Sequence, residues 1–266
     1  MKLNIMTYNI AGGRYYARDC DVTEYGGAVV ELSKCGDVIK EISPDLCGMN
    51  EVNLYEEEYV KTLDGTTALD QTRFLAEYTG LENYYFGQAI YFDNRGPYGN
   101  SVISKAKVLS SEVIAIPDPE IKDESGYYET RGITKVKLDI AGGITVLQVH
   151  VGLNIAEYQN AVDTLCKVID EADSPVILMG DFNMRPSNRL LDKIKERLQD
   201  ITPDGEGYQH TFPSWNNDAK IAPALRDYRP CKIDYIFASK EFRKVSCKVH
   251  RVRVSDHMPL VATLEI

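Results

Sequence analysis

An α/β fold is what this sequence predicts, on three observations. The run Val176-Ile177-Leu178-Met179, rich in β-branching and closed by Gly180-Asp181-Phe182-Asn183, reads as a short strand buried on both faces. Tyr158, Ala161, Val162, Leu165, Val168, Ile169 and Ala172 fall at helical spacing behind Asn154-Ile155-Ala156-Glu157, a capping-box pattern. Segments of strand character flank Gly142-Gly143, the signal of a hairpin with a two-residue turn.

The remaining elements follow in order. Lys2 to Tyr8 predicts a strand with Leu3, Ile5 and Thr7 on one face and Asn9 continuing it. Leu32, Cys35, Val38, Ile39 and Ile42 predict a helix over 27–42, stopped by Ser43-Pro44. Leu46 to Asn50 predicts a strand with Glu51 at its end, and 67–79 a helix stopped by Gly80. Strands are expected at 84–87 and 89–92, then a loop over 94–99, then strands at 100–104 and 108–116. The acidic, Pro-containing stretch 117–128 reads as a surface loop, and 130–140 and 144–149 as the hairpin, with His150 at its end. Pro186-Ser187 should open a helix carrying Leu190, Leu191, Ile194 and Leu198. Residues 202–231 are polar and too long for a simple connector, as functional loops tend to be. Strands are expected at 232–238, containing Asp234, and at 245–254 and 260–266 around Ser255-Asp256-His257. The apolar parity switches within 245–254, which predicts a bulge near His250–Arg251.

The 266 residues suffice for one large α/β domain, and the expectation is one domain over 1–266. Apolar runs fall short of the ~20 residues needed to span a bilayer. Six cysteines lie at 20, 35, 47, 166, 231 and 247 with no Cys-x-x-Cys spacing, which argues against zinc or a disulfide framework. A cytoplasmic protein is expected, with secretion behind a removed leader as the alternative. Thirty basic against forty acidic residues give a net charge of −10, which counts against a general DNA binder.

Asn9, Glu51, His150, Asp181 with Asn183, and Asp256-His257 all fall at strand ends, and Asp234 lies within or beside a strand. Each has an ordinary explanation. Asn9 can form a turn, Glu51 can begin the acidic stretch that includes Glu56-Glu57-Glu58, His150 can be a satisfied core histidine, and Asp256 can cap. Gly-Asp-x-Asn alone can be an Asx turn. That all of them coincide at strand ends points instead to one shared site. Carboxylates and amide oxygens of this kind suit a hard cation such as Mg²⁺.

The ordered set Thr7-Tyr8-Asn9, Asn50-Glu51-Val52, Gly99-Asn100-Ser101-Val102-Ile103-Ser104, Arg131-Gly132, His150-Val151-Gly152-Leu153, Gly180-Asp181-Phe182-Asn183, Ile233-Asp234-Tyr235-Ile236 and Ser255-Asp256-His257 resembles the endonuclease/exonuclease/phosphatase superfamily. The resemblance spans residues 3–266. Asn50 departs from it, because many members carry Gln before the metal-binding Glu. It implies a deoxyribonuclease I-like four-layer α/β sandwich, two mixed β-sheets face to face with helices outside. It also implies Mg²⁺, with Mn²⁺ as a substitute, held mainly by Glu51 and supported by Asn9 and Asp256. By the same resemblance Asp181 would orient or deprotonate the attacking water. Asn183 and His150 would hold phosphoryl oxygens, with His150 also helping the leaving group. His257 would be the base or a transition-state stabiliser, oriented by Asp234, and Asn100 and Arg131 would contact phosphate. A turn and a surface ion pair are the ordinary readings of those last two.

The expected activity is metal-assisted in-line hydrolysis of a phosphoester, chiefly a phosphodiester. The acidic balance favours a small-molecule, lipid-headgroup or sugar-linked substrate. The alternative is a nuclease or DNA-repair phosphodiesterase, for which Lys240, Arg243, Lys244, Lys248, Arg251 and Arg253 speak, although a solvated peripheral strand explains them too. A catalytically dead binding module is a third reading, but neither base nor metal ligand is missing. Loops 14–26, 93–99, 117–128 and 202–231 are expected to set the substrate.

Overall fold

A computed structural model describes residues 1–16, 29–123, 126–202, 210–215 and 229–266. In chain order the elements are β1 (Lys2–Asn9), β2 (Val30–Glu31), α1 (Leu32–Ile42), β3 (Leu46–Asn53), α2 (Glu57–Val60), β4 (Gly65–Thr66) and α3 (Gln71–Thr79). There follow β5 (Asn83–Phe92), β6 (Gly96–Ser104), β7 (Val108–Ala115), β8 (Gly132–Leu138), β9 (Ile144–His150), α4 (Ile155–Asp170) and β10 (Val176–Asp181). The chain closes with α5 (Leu190–Lys195), β11 (Gln199–Asp200), β12 (Asp234–Ala238), β13 (Arg243–Val249) and β14 (Leu260–Glu265).

Two six-stranded sheets result, ordered β13-β14-β1-β3-β6-β5 and β11-β12-β10-β9-β8-β7. Each is mixed around one parallel pair, β1 with β3 and β9 with β10. A parallel pair needs a crossover, and α1 and α4 lie in those two connections. Side-chain alternation then builds the layers. On β1, Leu3 and Ile5 join Ile177, Met179, Val146 and Ile236 in a core between the sheets. Met6 and Tyr8, on the opposite face, pack with Leu32, Cys35, Val38 and Ile39 of α1 and Leu75 of α3. Leu178 and Val149 meet Ala161, Val162 and Leu165 of α4 and Leu191 and Ile194 of α5. The result is the four-layer α/β sandwich expected, and each fully buried aliphatic side chain contributes about 1.5–3 kcal/mol. No helix among the described residues is long and apolar enough to cross a membrane.

Several boundaries differ from the sequence reading, each for a local reason. The start of the first helix predicted at residue 27 lies outside the described residues, but α1 begins only at Leu32, because Val30 and Glu31 pair with Gly65 and Thr66. The second predicted helix starts at Gln71 rather than near 67, where Asp70 caps it through the Arg73 N–H. The strands at 84–87 and 89–92 are one, β5, with a register shift between Gln88 and Ile90. The 94–99 loop shrinks to a tight turn, because Gly96 already pairs with Phe92. The connection around Gly142 runs over five residues rather than two, since Leu138 pairs with Ile144 and Ala141, Gly142 and Gly143 all take positive φ. The helix expected from Pro186 begins at Leu190. Near the C-terminus β13 ends at Val249 and its register shift lies between Lys244 and Ser246, not at His250. Val252 and Val254 change parity because they leave the sheet and pack toward α1.

Gly180 is where the close packing of β10 on β9 demands glycine. It has φ 141°, and a Cβ there would stand 1.9 Å from the Val149 carbonyl oxygen. Gly180→Ala is therefore expected to destabilise the protein by at least about 2 kcal/mol, read as a lowered midpoint in urea unfolding. An unchanged midpoint would contradict this packing.

Candidate active site

Sheet register decides which side chains meet. Asn9 stands beside Asn50 across β1 and β3, and Asp181 stands between His150 on β9 and Asp234 on β12. These positions share the edge where β1, β9 and β10 end and β12 begins, the edge of a parallel pair at which ligands usually bind. Glu51 arrives differently. It lies inside β3, not past its end as the sequence reading had it, at a register shift between Met49 and Val52 with φ 58°. A bulge turns a side chain out of the regular alternation, and here the Asn9 amide meets it. Asn9 Nδ2 donates to Glu51 Oε1 at 3.0 Å and to Asp181 Oδ2 at 3.1 Å. Asn9 Oδ1 accepts from the Ala11 N–H at 3.0 Å, which leaves that oxygen one lone pair.

Asn50 holds this edge together. Its Nδ2 donates to Asn100 Oδ1 at 2.7 Å and to the Val149 carbonyl at 2.8 Å. Its Oδ1 accepts from the Asp181 N–H and from Gln148 Nε2, both at 3.0 Å. Two donors and two acceptors are thus all used, joining strands of both sheets. Asn100 belongs to this network rather than to the cavity. Its own amide nitrogen donates to the Gly132 carbonyl at 3.1 Å, which leaves one amide hydrogen, and Asn100 is not among the residues that line the cavity.

Asp181, Asp234 and His257 offer atoms within 4.8 Å of one another. Asp234 Oδ2 lies 2.8 Å from His257 Nδ1, which leaves Nε2 turned to Asp181 Oδ2 at 3.5 Å. With Nδ1 taken, this trio is a carboxylate-oriented imidazole rather than a metal cage. Burial opposes the His257 charge, yet Asp234 and Asp181 outweigh it and hold the imidazole well above its usual pKa. Burial pushes the Asp181 carboxyl up to about 7, with His257 opposing and Asp234 adding to the rise. The pair titrates as a unit.

His150 is tuned the other way. Its Nδ1 lies 2.9 Å from Arg131 Nη1, and a guanidinium can only donate, so Nδ1 accepts and Nε2 carries the hydrogen. That N–H faces Asp181 Oδ2 at 3.5 Å. Burial, then the charges of Arg131 and His257, hold His150 well below its usual pKa, so it is neutral at physiological pH. Arg131 is itself anchored by Glu129 Oε2 at 3.0 Å, a buried pair and not a surface one. Asn183 has φ 53°, a left-handed conformation that asparagine tolerates. Its N–H closes a turn on Asp181 Oδ1 at 2.9 Å, and its Nδ2 donates to the Val151 carbonyl at 2.9 Å.

A cavity of about 550 Å³ opens on this edge, lined by Glu51, Arg131, His150, Asp181, Asn183 and His257 from the sequence-derived set. Asn9, Asp234 and Asp256 are not among its lining residues. The single Ser255 hydroxyl hydrogen has two acceptors in reach, the Asn9 carbonyl at 2.8 Å and Asp256 Oδ1 at 3.1 Å, and the first of these brings residues 255–257 against β1. Glu51, Asp256 and Asn9 Oδ1 offer oxygens to a cation, and burial raises the neighbouring Asp181 carboxyl to about 7. That donor chemistry fits a hard divalent ion.

Sequence reasoning missed Arg95, Tyr98, Tyr127, Glu129, Leu153, Phe212 and Ile233 as cavity walls. Phe212 packs its ring 4.8 Å from that of His257, and Thr211 Oγ1 accepts from the Asp234 N–H at 3.2 Å. Leu153 and Ile233 fall inside the quoted motifs, and the others carry no sequence signal beyond lying in or next to the loops marked as substrate-setting. The basic residues Lys240, Arg243, Lys244, Lys248, Arg251 and Arg253 do not line the cavity, and Arg243, Lys244 and Lys248 lie on exposed edge strand β13.

A family model described as Endonuclease/Exonuclease/phosphatase family matches residues 6–257. No curated protein matches the chain. Among solved structures, an endonuclease/exonuclease/phosphatase from Beutenbergia cavernae is 24% identical with a TM-score of 0.74, covering 100% of this chain and 72% of that one. D. rerio TDP2 complexed with single strand DNA product is 18% identical (TM-score 0.65), covering 100% of this chain and 99% of that one. A mannosyl-6-phosphatase of Bacteroides thetaiotaomicron is 14% identical (TM-score 0.67), covering 99% and 100%. At such identities the likeness is one of fold.

Two outcomes follow from this geometry. Asn50→Ala leaves several buried groups of both sheets without partners and is expected to lose about 3 kcal/mol or more in chemical unfolding. Arg131→Ala removes a neighbouring cation, which lowers the penalty on imidazolium. The His150 titration followed by heteronuclear NMR should therefore move to higher pH, and an unmoved titration would refute the contact's role.

Proposed function

The chain belongs to the Endonuclease/Exonuclease/phosphatase family, whose members are phosphoesterase hydrolases, and on that premise we propose that it uses Mg²⁺ to direct water onto a small phosphoester, chiefly a phosphodiester. The observation that carries this reading is the meeting of Glu51, Asp181, His150, Asn183, His257 and Arg131 at one cavity. We take residues 1–266 to work as one domain. Free Cys35, Cys47, Cys166, Cys231 and Cys247 support a cytoplasmic setting.

Glu51 would hold the ion, with Asn9 Oδ1 and Asp256 beside it and Mn²⁺ as a substitute. The ion would supply charge stabilisation to a phosphoryl oxygen. The remaining work falls to the chain. His257 Nε2 and Asp181 Oδ2, 3.5 Å apart, orient the water and take its proton as a coupled pair. Asp234 keeps the imidazole in the useful orientation through Nδ1. The neutral His150 Nε2–H and the remaining amide hydrogen of Asn183 donate to phosphoryl oxygens, offsetting charge that grows in the transition state. Because burial, and after it Arg131, depresses its basicity, His150 helps the leaving group as a hydrogen-bond donor rather than as an imidazolium acid. Arg131 acts on phosphate through His150 as well as by its own charge.

The substrate is best read as a small-molecule, lipid-headgroup or sugar-linked phosphoester. Nucleic acid is the weaker alternative, because the basic residues that favoured it lie away from the cavity walls.

Hydrolysis of bis-p-nitrophenyl phosphate is expected with Mg²⁺, to vanish with EDTA and to return with added Mg²⁺. Asp181→Ala and His257→Ala should each lower kcat by roughly 10²-fold or more, while Glu51→Ala should raise the Mg²⁺ concentration needed for half-maximal rate. Rates like those of the unmodified enzyme from either of the first two variants would remove this mechanism.

A further inference from the structure

One cation in the cavity is not consumed by the chemistry above. Arg95 sits in the tight turn between β5 and β6, where its N–H donates to the Phe92 carbonyl at 3.0 Å and its carbonyl accepts from the Glu56 N–H at 3.0 Å. The following Gly96 has φ 96°, and a Cβ there would stand 2.7 Å from the Leu54 carbonyl oxygen, so the backbone is fixed on both sides of the arginine. The guanidinium carbon lies 4.1 Å from the Phe92 ring centre and 4.8 Å from that of Tyr98. Ring contacts hold a guanidinium in place without neutralising it. The Arg95 side chain makes no hydrogen bond or ion pair with the described residues, and its Nε is buried with no acceptor.

The contrast with Arg131 is instructive. Both line the same cavity, but the Arg131 charge is met by Glu129 at 3.0 Å and its Nη1 is spent on His150. Arg95 has no close ion-pair partner among the described residues, its charge reaching Glu129 only at longer range, and it stands beside a site that already carries the groups for one phosphoryl unit. A planar fork of donors held by its flat faces is the arrangement that binds carboxylate or phosphate oxygens.

We propose that Arg95 is a specificity subsite for a second oxyanion, a carboxylate or a phosphate, that the substrate carries beside its scissile phosphoester. This rests on the phosphoesterase reading of the same cavity and narrows it to substrates with two anionic groups.

Three phosphonates that the enzyme cannot hydrolyse test it by titration calorimetry at fixed Mg²⁺. They are ethylphosphonate, 3-phosphonopropionate with an added carboxylate, and propane-1,3-bisphosphonate with a second phosphonate. One of the two dianion carriers should bind about tenfold or more tightly than ethylphosphonate, the size of a charge-assisted hydrogen bond, and which one does so identifies the oxyanion. Arg95→Gln should collapse that ratio toward one. Arg95→Lys, which keeps the charge but loses the fork, should restore only part of it. Equal binding of all three by the unmodified protein would overturn the subsite, as would a preference that survives Arg95→Gln or is fully kept by Arg95→Lys. Absence of Mg²⁺-dependent turnover of bis-p-nitrophenyl phosphate would instead strike the phosphoesterase reading, so the two failures are separable.

Discussion

The buried amide of Asn50 is the interaction on which this site depends. It uses all four of its hydrogen-bonding positions, on Asn100, Val149, Asp181 and Gln148, and so locks β3 and β6 of one sheet to β9 and β10 of the other. Away from this edge the core between the sheets is built of apolar side chains, which are attractive but indifferent to small slips. A saturated amide in a dry interface is not indifferent, because any slip strands a donor or acceptor. Gly48 is part of the same arrangement, since a Cβ there would stand 2.0 Å from Gln148 Oε1. The sheets are registered where the chemistry needs them registered.

Around that fixed point the site sets apart two histidines that begin alike. His150 meets a guanidinium and stays neutral, whereas His257 meets two carboxylates and holds its proton. Both are buried, so burial alone does not distinguish them; their partners do. Both imidazoles face the same Asp181 oxygen through Nε2 at 3.5 Å, one as a neutral donor and one as a charged partner. Phe212 packs against the His257 ring and Thr211 Oγ1 accepts from the Asp234 N–H, so part of the 202–231 stretch supports this edge.

Most of the proposed catalytic groups lie at or beside strand ends, while Arg95, Tyr127, Glu129 and Phe212 come from turns and connections. A rigid edge carrying chemistry beneath variable loops lets one fold act on many phosphoesters. The relatives of known structure, one complexed with DNA and one a sugar phosphatase, share this fold with the chain at low identity.

The sequence by itself determined the strands and amphipathic helices, the four layers through its resemblance, and the residues Glu51, His150, Asp181, Asn183, Arg131 and His257 that meet at the cavity. Periodicity and strand-end polar motifs are local, and local signals survive in a string of letters. Only the tertiary structure decided the rest. It turned Glu51 inward by a bulge, enlisted Asn100 in the inter-sheet network, paired Arg131 with Glu129 and His150, and set Arg95 in the cavity wall against Phe92 and Tyr98. Those outcomes depend on which distant partner reaches an atom first, and hydrogen-bond capacity and charge are shared out only when the chain is folded.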